Sequence, residues 1–247
     1  MEHSALSLVP PQRRAHSAAP ARTFALDRET LRQRRVIFPD EESLAGDAYR
    51  MLRTQLLQRV RQRGARVIGI ASPADGDGKT LTSVNLALAL AAEPNQTILL
   101  VDMDLRRPNV AKLLGIPEPR GVESVLSGEI GVDEALWRPE GRDRLAVLPS
   151  APLSGSSSEV LAGERTRAFL QEIRSRYPDR LVILDLPPIL LTDDVLTLAP
   201  HLDGLLLVIS EQRTRREDLQ RAQALLADVP QLGSVLNRAT RSERRAY

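Results

Sequence analysis

Short apolar runs alternate with longer amphipathic segments through most of this chain. The runs are rich in leucine, isoleucine and valine and lack polar alternation, which is typical of strands buried on both faces. They cover residues 67–71, 97–101, 145–148, 181–184, 205–209 and 234–236. Because strands separated by helices are joined by right-handed crossovers, the pattern predicts an α/β fold with a doubly wound, mostly parallel sheet flanked by helices.

Segments with a helical period lie between these runs. In residues 42–62, apolar side chains recur every three or four positions from Leu44 to Val60, which predicts an amphipathic helix. Further helices are predicted at residues 80–92, 165–176, 193–198 and 215–228, with short ones near 122–126 and 132–137.

The ends of the chain lack such a period. Residues 1–40 mix prolines, small residues and arginines, and we interpret them as a disordered basic leader. The leader is either a solvated tail or a segment that docks on a partner or on acidic lipid. The folded domain then covers residues 41–238 and begins with the amphipathic helix, and residues 239–247 form a flexible basic tail.

Composition narrows the class of protein. At 247 residues and 42% hydrophobic residues, the chain has room for one sizeable domain, and its formal charge of +2 argues against a nucleic-acid binder. It contains no cysteine, which fits a reducing compartment. No apolar stretch approaches the roughly 20 residues of a membrane helix. We therefore expect a cytoplasmic protein that reaches the inner face of the plasma membrane only through a partner.

One lysine lies in a loop whose pattern predicts phosphate binding. Lys79 is one of only two lysines among 34 basic residues, and it follows a predicted strand and opens a predicted helix. A compact ammonium suits a tight phosphate-binding loop better than a planar guanidinium does. The loop and helix start predict a nucleotide-binding site, although Pro73 stands where the usual pattern has glycine. A simple Gly-Asp-Gly turn is the alternative. The predicted binding residues, which the family resemblance below assigns to ATP, are Asp75, Gly76, Asp77, Gly78, Lys79, Thr80 and Leu81.

Aspartates follow two of the predicted strands. Asp102 and Asp104 come at the end of one strand and Asp185 at the end of another. Ligands bind at the carboxyl ends of strands in open α/β sheets, and Mg²⁺ prefers oxygen ligands. These aspartates, with the Thr80 hydroxyl, therefore predict a Mg²⁺ site beside the phosphates. A lone aspartate of this kind is more often a turn or a helix cap, but two such strands beside a phosphate loop favour the metal.

Three of these segments together resemble the bacterial tyrosine kinases of capsule and exopolysaccharide assembly, the CpsD/CapB family. The Lys79 loop is similar to their Walker A motif, residues 100–108 to their A′ motif and residues 183–188 to their Walker B motif. The resemblance covers roughly residues 42–237. It implies an ATP-dependent protein-tyrosine autokinase that regulates polysaccharide polymerisation and export with a membrane-anchored adaptor.

The resemblance also implies roles for single residues. Lys79, Asp102 and Asp104 would be catalytic, with Asp102 orienting or deprotonating the acceptor hydroxyl. Thr80, Asp102, Asp104 and Asp185 would hold Mg²⁺, the last through water. Asn237 would contact adenine, although it is equally well explained as a strand-end turn.

Two further features depart from the family pattern. The Glu-x-x-Arg-x-x-Arg oligomerisation motif is represented by Asp47, Arg50 and Arg53, which share a helix face and imply a homo-oligomeric ring; a solvated charged face is the alternative. The family's C-terminal tyrosine cluster is reduced to Tyr247, which is either the phospho-acceptor or an incidental residue. Tyr49 and Tyr177 are expected to be structural.

Two rival functions share the predicted fold. One is an ATPase of the MinD/ParA type, whose members carry a further lysine five residues before the loop lysine, where this chain has Ala74. The other is a nucleotide-dependent switch without significant tyrosine phosphorylation, which the small number of tyrosines favours.

Overall fold

The carboxyl edge of a single sheet positions the predicted site. The structure, a computed structural model, describes residues 22–117, 120–176 and 179–239, and in these residues eight strands form one sheet. The strands are β1 (Arg22–Phe24), β2 (Val67–Ala71), β3 (Thr97–Asp102), β4 (Trp137–Pro139), β5 (Leu145–Leu148), β6 (Arg180–Asp185), β7 (Gly204–Ser210) and β8 (Gln231–Asn237).

The strand order is β1-β4-β5-β3-β6-β2-β7-β8, and only the β4–β5 pair is antiparallel. The central strands are buried along their whole length, as their unbroken apolar sequences predict. Asp102 and Asp185 are direct neighbours in the β3–β6 register, and Ile70 of β2 pairs with Asp185. The two predicted carboxylate strands therefore lie next to the strand that leads into the phosphate loop.

Helices cover both faces of the sheet. Longer ones are α2 (Leu44–Arg63), α3 (Lys79–Ala91), α8 (Glu164–Ser175) and α10 (Arg216–Leu225). The short ones are α1 (Arg28–Gln33), α4 (Val110–Leu114), α5 (Val122–Ser127), α6 (Val132–Ala135), α7 (Ser157–Ala162) and α9 (Asp194–Leu198). Core residues of α2, α3 and α4 pack on one face, and those of α5, α7, α8, α9 and α10 pack on the other. The doubly wound α/β sheet is confirmed.

The predicted disorder of residues 1–40 is wrong for residues 22–40. Strand β1 adds to the edge of the sheet through β4, and Asp27 caps α1. Leu31 and Phe38 are each 1% exposed and belong to the core of the α3 face. Their spacing follows neither the helical nor the strand period, so no pattern in the sequence signals their burial. Residues 1–21 of the predicted leader lie outside the described residues.

Smaller differences concern element ends. The helix predicted near residues 132–137 ends at Ala135, because Trp137 starts β4 and packs edge-on against Phe24. Strand β8 is longer than predicted, and α10 ends at Leu225. Of the predicted tail, the structure describes only Ala239. Tyr177 and Tyr247 lie outside the described residues.

Candidate functional site: a phosphate loop beside three carboxylates

The loop at residues 72–78 joins β2 to the first turn of α3. Gly76 and Gly78 have φ of 77° and 96°, a region that favours glycine. A Cβ on Gly78 would lie 2.0 Å from Nδ2 of Asn237, so this position also needs glycine for space. Because α3 begins at Lys79 with no side-chain cap, its first amides are available to phosphate oxygens.

Lys79 lies buried among the predicted carboxylates. Its Nζ is 2.7 Å from Oδ2 of Asp104, 3.6 Å from Oδ2 of Asp185 and 3.2 Å from Oγ1 of Thr80. Burial opposes the charged ammonium, but the carboxylates of Asp185 and Asp104 outweigh it and raise the pKa of Lys79. Lys79 therefore stays protonated at neutral pH and compensates the negative charge around it.

Asp185 is completely buried at the end of β6. Its Oδ1 accepts a hydrogen bond of 2.9 Å from the Ser83 hydroxyl, and its Oδ2 has no hydrogen-bond donor among the described residues. Burial raises the pKa of Asp185 despite the attraction of Lys79. A buried carboxylate oxygen without a donor is suited to a cation or to a cation-bound water.

The contacts of the Asp102 carboxylate are with backbone amides that follow β3. Its Oδ2 accepts hydrogen bonds from the backbone amides of Asn109 and Val110 at 3.0 and 2.9 Å. Its Oδ1 accepts one from the backbone amide of Asp104 at 3.2 Å. Burial, followed by the neighbouring Asp185 charge, raises its pKa well above the usual carboxyl range. In this geometry Asp102 anchors residues 103–109, which we call the A′ loop, and its predicted metal and base roles stay predictions.

All but two of the predicted ATP-binding residues surround a cavity of about 180 Å³; the exceptions are Asp77 and Asn237. Asp75, Gly76, Gly78, Lys79, Thr80 and Leu81 line it together with Asp104. Asp77 is buried below the loop, where its Oδ2 accepts a hydrogen bond of 3.2 Å from the backbone amide of Ala74. Burial raises the pKa of Asp77. Nδ2 of Asn237 donates to the carbonyl of Asp77 at 2.8 Å, so β8 braces the loop.

Several residues of the site escaped the sequence analysis. Arg107 pairs with Asp75 at 2.8 Å, and Arg238 donates to the carbonyl of Gly76 at 2.8 Å. Ser83 contacts Asp185 from one helical turn after Lys79. Two of these had a signal in the sequence: residues four apart on a helix share a face, which points to Ser83, and Arg107 lies in the segment that resembles the A′ motif. The arginines come from loops whose spatial neighbours the sequence does not reveal.

The predicted oligomerisation residues lie away from this site on α2. Arg50 pairs with Asp47 at 2.7 Å and donates to the carbonyls of Pro39 and Glu41. Arg53 pairs with Glu93 at 2.9 Å and donates to the carbonyl of Ala89, so it ties α2 to the end of α3. These contacts within the chain leave the predicted ring interface untested. Tyr49, on the same helix, packs partly buried against the core.

The residues present fit a Mg²⁺ ion that accompanies a nucleotide. In the described ranges, no group of three or more acidic or histidine side chains is arranged as a complete metal cage. Mg²⁺ usually binds one or two carboxylates together with phosphate and water. Asp104, Asp185 and the Thr80 hydroxyl are the groups that could hold it.

A phosphate loop followed by a helix, on a mostly parallel sheet with carboxylates at its carboxyl edge, defines a P-loop nucleotide-binding protein. The family described as an AAA domain matches residues 65–233. The tyrosine-protein kinase YwqD of Bacillus subtilis is 32% identical over 218 residues, which is 87% of this chain and 90% of that protein. The chain belongs to the bacterial tyrosine-protein kinases of the P-loop class.

Other similarities agree with this assignment. The succinoglycan biosynthesis transport protein ExoP of Rhizobium meliloti is 29% identical over 86% of this chain, which spans only 27% of ExoP. The VpsO kinase domain is 29% identical, with a TM-score of 0.70 over 77% of this chain and 93% of that domain. The septum site-determining protein MinD of Pyrococcus horikoshii, solved with Mg-ADP, is 25% identical, with a TM-score of 0.59 over 72% of each chain. Among the described residues, no helix has the length and apolarity needed to cross a membrane.

Proposed function

We propose that this chain transfers the γ-phosphoryl group of ATP to tyrosine as part of exopolysaccharide biosynthesis. The observation that carries the proposal is the contact of Lys79 with Asp104 and Asp185 at the mouth of the phosphate loop. This contact supports a site in which one ammonium and two carboxylates would act on the phosphates and their metal. Phosphoryl transfer depends mainly on positioning and charge neutralisation, so this set needs no covalent nucleophile.

Each residue has a defined task in this proposal. The loop amides bind phosphate oxygens, and Lys79 neutralises charge on the β- and γ-phosphates. Asp104, Asp185 and the Thr80 hydroxyl would hold Mg²⁺, which when bound would supply further charge neutralisation. As the tyrosine oxygen bonds to phosphorus, the bond to the ADP oxygen breaks and the hydroxyl proton leaves. Asp102 is our choice for the proton acceptor, because it lies next to Asp185 at the strand edge and its charge acts on Lys79.

The biological setting is proposed from the relatives. YwqD is a tyrosine-protein kinase and ExoP a biosynthesis transport protein, so we infer a cytoplasmic kinase recruited to the inner face of the plasma membrane by a membrane-anchored adaptor. A homo-oligomeric ring formed through Asp47, Arg50 and Arg53 would present Tyr247 of one copy to the site of the next. Tyr247 is the proposed acceptor.

The test is phosphotyrosine mapping. Purified full-length protein is incubated with Mg-ATP, with and without the cytoplasmic segment of its membrane partner, and analysed by mass spectrometry. We expect label at Tyr247 that disappears in Lys79→Met, with Lys112→Met as the matched control because Lys112 is the other lysine and is exposed. ATP hydrolysis without phosphotyrosine under either condition would contradict tyrosine transfer.

A MinD-type ATPase is the second candidate, and the fold similarity to MinD favours it. The absence of the additional loop lysine, replaced by Ala74, opposes it. Analytical ultracentrifugation with ADP and with a non-hydrolysable ATP analogue separates the two. A monomer that becomes a dimer only with the ATP analogue, together with no phosphotyrosine, would favour the ATPase.

A further inference from the structure

A polar cluster around a buried carboxylate lies beside the site, and the sequence assigned no role to any of its side chains. It consists of Arg106, Ser157 and Asp194, and we call it the Arg106 cluster. Asp194 is 0% exposed and Ser157 is 1% exposed. The Ser157 hydroxyl donates to Oδ2 of Asp194 at 2.8 Å and accepts from Nε of Arg106 at 2.7 Å. The same Nε lies 3.5 Å from Asp194.

The cluster joins the two loops that follow strands β3 and β6, whose ends carry candidate metal ligands. Arg106 belongs to the A′ loop, two residues after Asp104, and two residues span at most about 7 Å. Asp194 begins α9, at the end of the loop that follows Asp185 and β6. Ser157, at the start of α7, lies between them. A displacement of the A′ loop would therefore pull Arg106 away from a fully buried carboxylate.

Such a displacement has a large cost. A buried carboxylate is tolerated only where donors surround it, and Asp194 relies on Ser157, Arg106 and the Ser158 hydroxyl at 2.9 Å. On the opposite side, Arg107 of the same loop lines the nucleotide cavity and pairs with Asp75. Consecutive arginines thus fasten the A′ loop to different parts of the molecule, and Asp104 lies just before them.

We propose that Arg106, Ser157 and Asp194 are positioning residues that hold Asp104 in place for the Mg-nucleotide. The proposal rests on the proposed function, because it concerns the same nucleotide site. In the structure, Oδ2 of Asp104 contacts Lys79, and its Oδ1 accepts a hydrogen bond of 3.0 Å from the backbone amide of Arg107 in the A′ loop. When a phosphate competes for that lysine, the Arg106 cluster keeps Asp104 at the same place, where its carboxylate would be available to Mg²⁺. The strength of Mg²⁺ binding then depends on the Ser157 hydroxyl, although Ser157 does not line the nucleotide cavity.

The test compares ADP binding with Mg²⁺ and with EDTA by isothermal titration calorimetry of the full chain. Outer-shell partners of metal ligands typically change metal affinity by about tenfold or more. We expect Ser157→Ala to weaken Mg-ADP binding by about tenfold and to leave ADP binding in EDTA unchanged. Ser157→Thr keeps the hydroxyl and should restore most of the loss. Ser158→Ala is the matched control, because Ser158 contacts Asp194 without contacting Arg106.

A second measurement needs no metal. In metal-free protein, hydrogen exchange of the amides at residues 103–109 should be faster in Ser157→Ala than in Ser158→Ala. If Ser157→Ala does not fold, Arg106→Gln replaces it, because the Arg106 side chain is 48% exposed.

Several results would overturn the positioning role. One is a loss of ADP affinity in Ser157→Ala that is equal with Mg²⁺ and with EDTA. A second is a Ser157→Ala variant whose ADP affinity depends on Mg²⁺ as strongly as that of the parent chain. A third is a parent chain whose ADP affinity does not depend on Mg²⁺. Failure of the kinase proposal is a separate result: Mg-ADP binding that responds to Ser157→Ala, without phosphotyrosine, would support the positioning role and contradict tyrosine transfer.

Discussion

At the scale of single residues, one ammonium stabilises an unfavourable group of carboxylates. Asp102 and Asp185 are both 0% exposed, and Asp104 is 4% exposed. Burial raises the pKa of Asp102 and of Asp185, so their ionised forms oppose folding. Lys79 offsets part of that cost through its contacts with Asp104 and Asp185. Such crowding is common where a fold is built for function rather than for stability.

The effect of removing Lys79 should therefore depend on pH. A carboxyl group whose folded pKa is raised contributes stability below its ordinary value of 3.8, and this contribution is lost as the pH rises through the raised pKa. Without Lys79 the folded pKa values rise further. Lys79→Met should lower the free energy of unfolding by about 3 kcal/mol at neutral pH and by clearly less near pH 5.

Urea unfolding at both pH values measures this difference. Lys112→Met should show no pH-dependent change, because Lys112 is exposed. A loss of stability in Lys79→Met that is equal at the two pH values would contradict the role of the ammonium in compensating these carboxylates.

At the scale of elements, the sequence predicts the bounds of an element best where that element is buried on both faces. Strands β2 and β5 have the predicted bounds, since runs buried on both faces are apolar at every position. The phosphate loop and Asp185 also follow from the sequence, because a strand end determines where the next residues emerge. The contacts of Asp102 with the A′ loop do not, since a strand-end carboxylate can face either a metal or nearby amides.

The N-terminal segment was missed because its contacts are distant in sequence. Residues 22–40 supply separate apolar side chains to a core formed by other elements, among them Phe24 against Trp137. Neither composition nor period distinguishes such residues from a solvated leader. Only the folded sheet, with β4 at its edge, provides a partner for β1.

If this segment is part of the core, truncating Leu31 should destabilise the whole domain. Leu31 is 1% exposed, so Leu31→Ala should lower the free energy of unfolding by about 2–5 kcal/mol. Leu225→Ala, at a leucine that is 48% exposed, should cost less than about 1 kcal/mol. Urea denaturation followed by circular dichroism measures both values. A Leu31→Ala variant as stable as the parent would show that residues 22–40 are not part of the core.

At the scale of the whole molecule, the charged residues of α2 have two tasks if the chain forms a ring: they hold α2 in place within one chain, and they contact a neighbouring copy. The side chain of Asp47 is 57% exposed and that of Arg50 is 34% exposed, whereas Arg53 is 19% exposed and is held by Glu93. Asp47 and Arg50 are therefore exposed enough to contact a neighbouring copy. Arg53 already has a structural task between α2 and α3.

The two kinds of contact should separate in mutants. Asp47→Ala should dissociate the oligomer without lowering the melting temperature of the monomer, because an exposed pair contributes about 0–1 kcal/mol to folding. Arg53→Ala should lower the melting temperature by several degrees, since it leaves the partly buried Glu93 without its cation and the carbonyl of Ala89 without its donor. Light scattering and differential scanning fluorimetry at matched protein concentrations measure both effects. A parent chain that is monomeric with and without Mg-ATP would exclude the ring, and Tyr247 would then have to be phosphorylated within one chain or not at all.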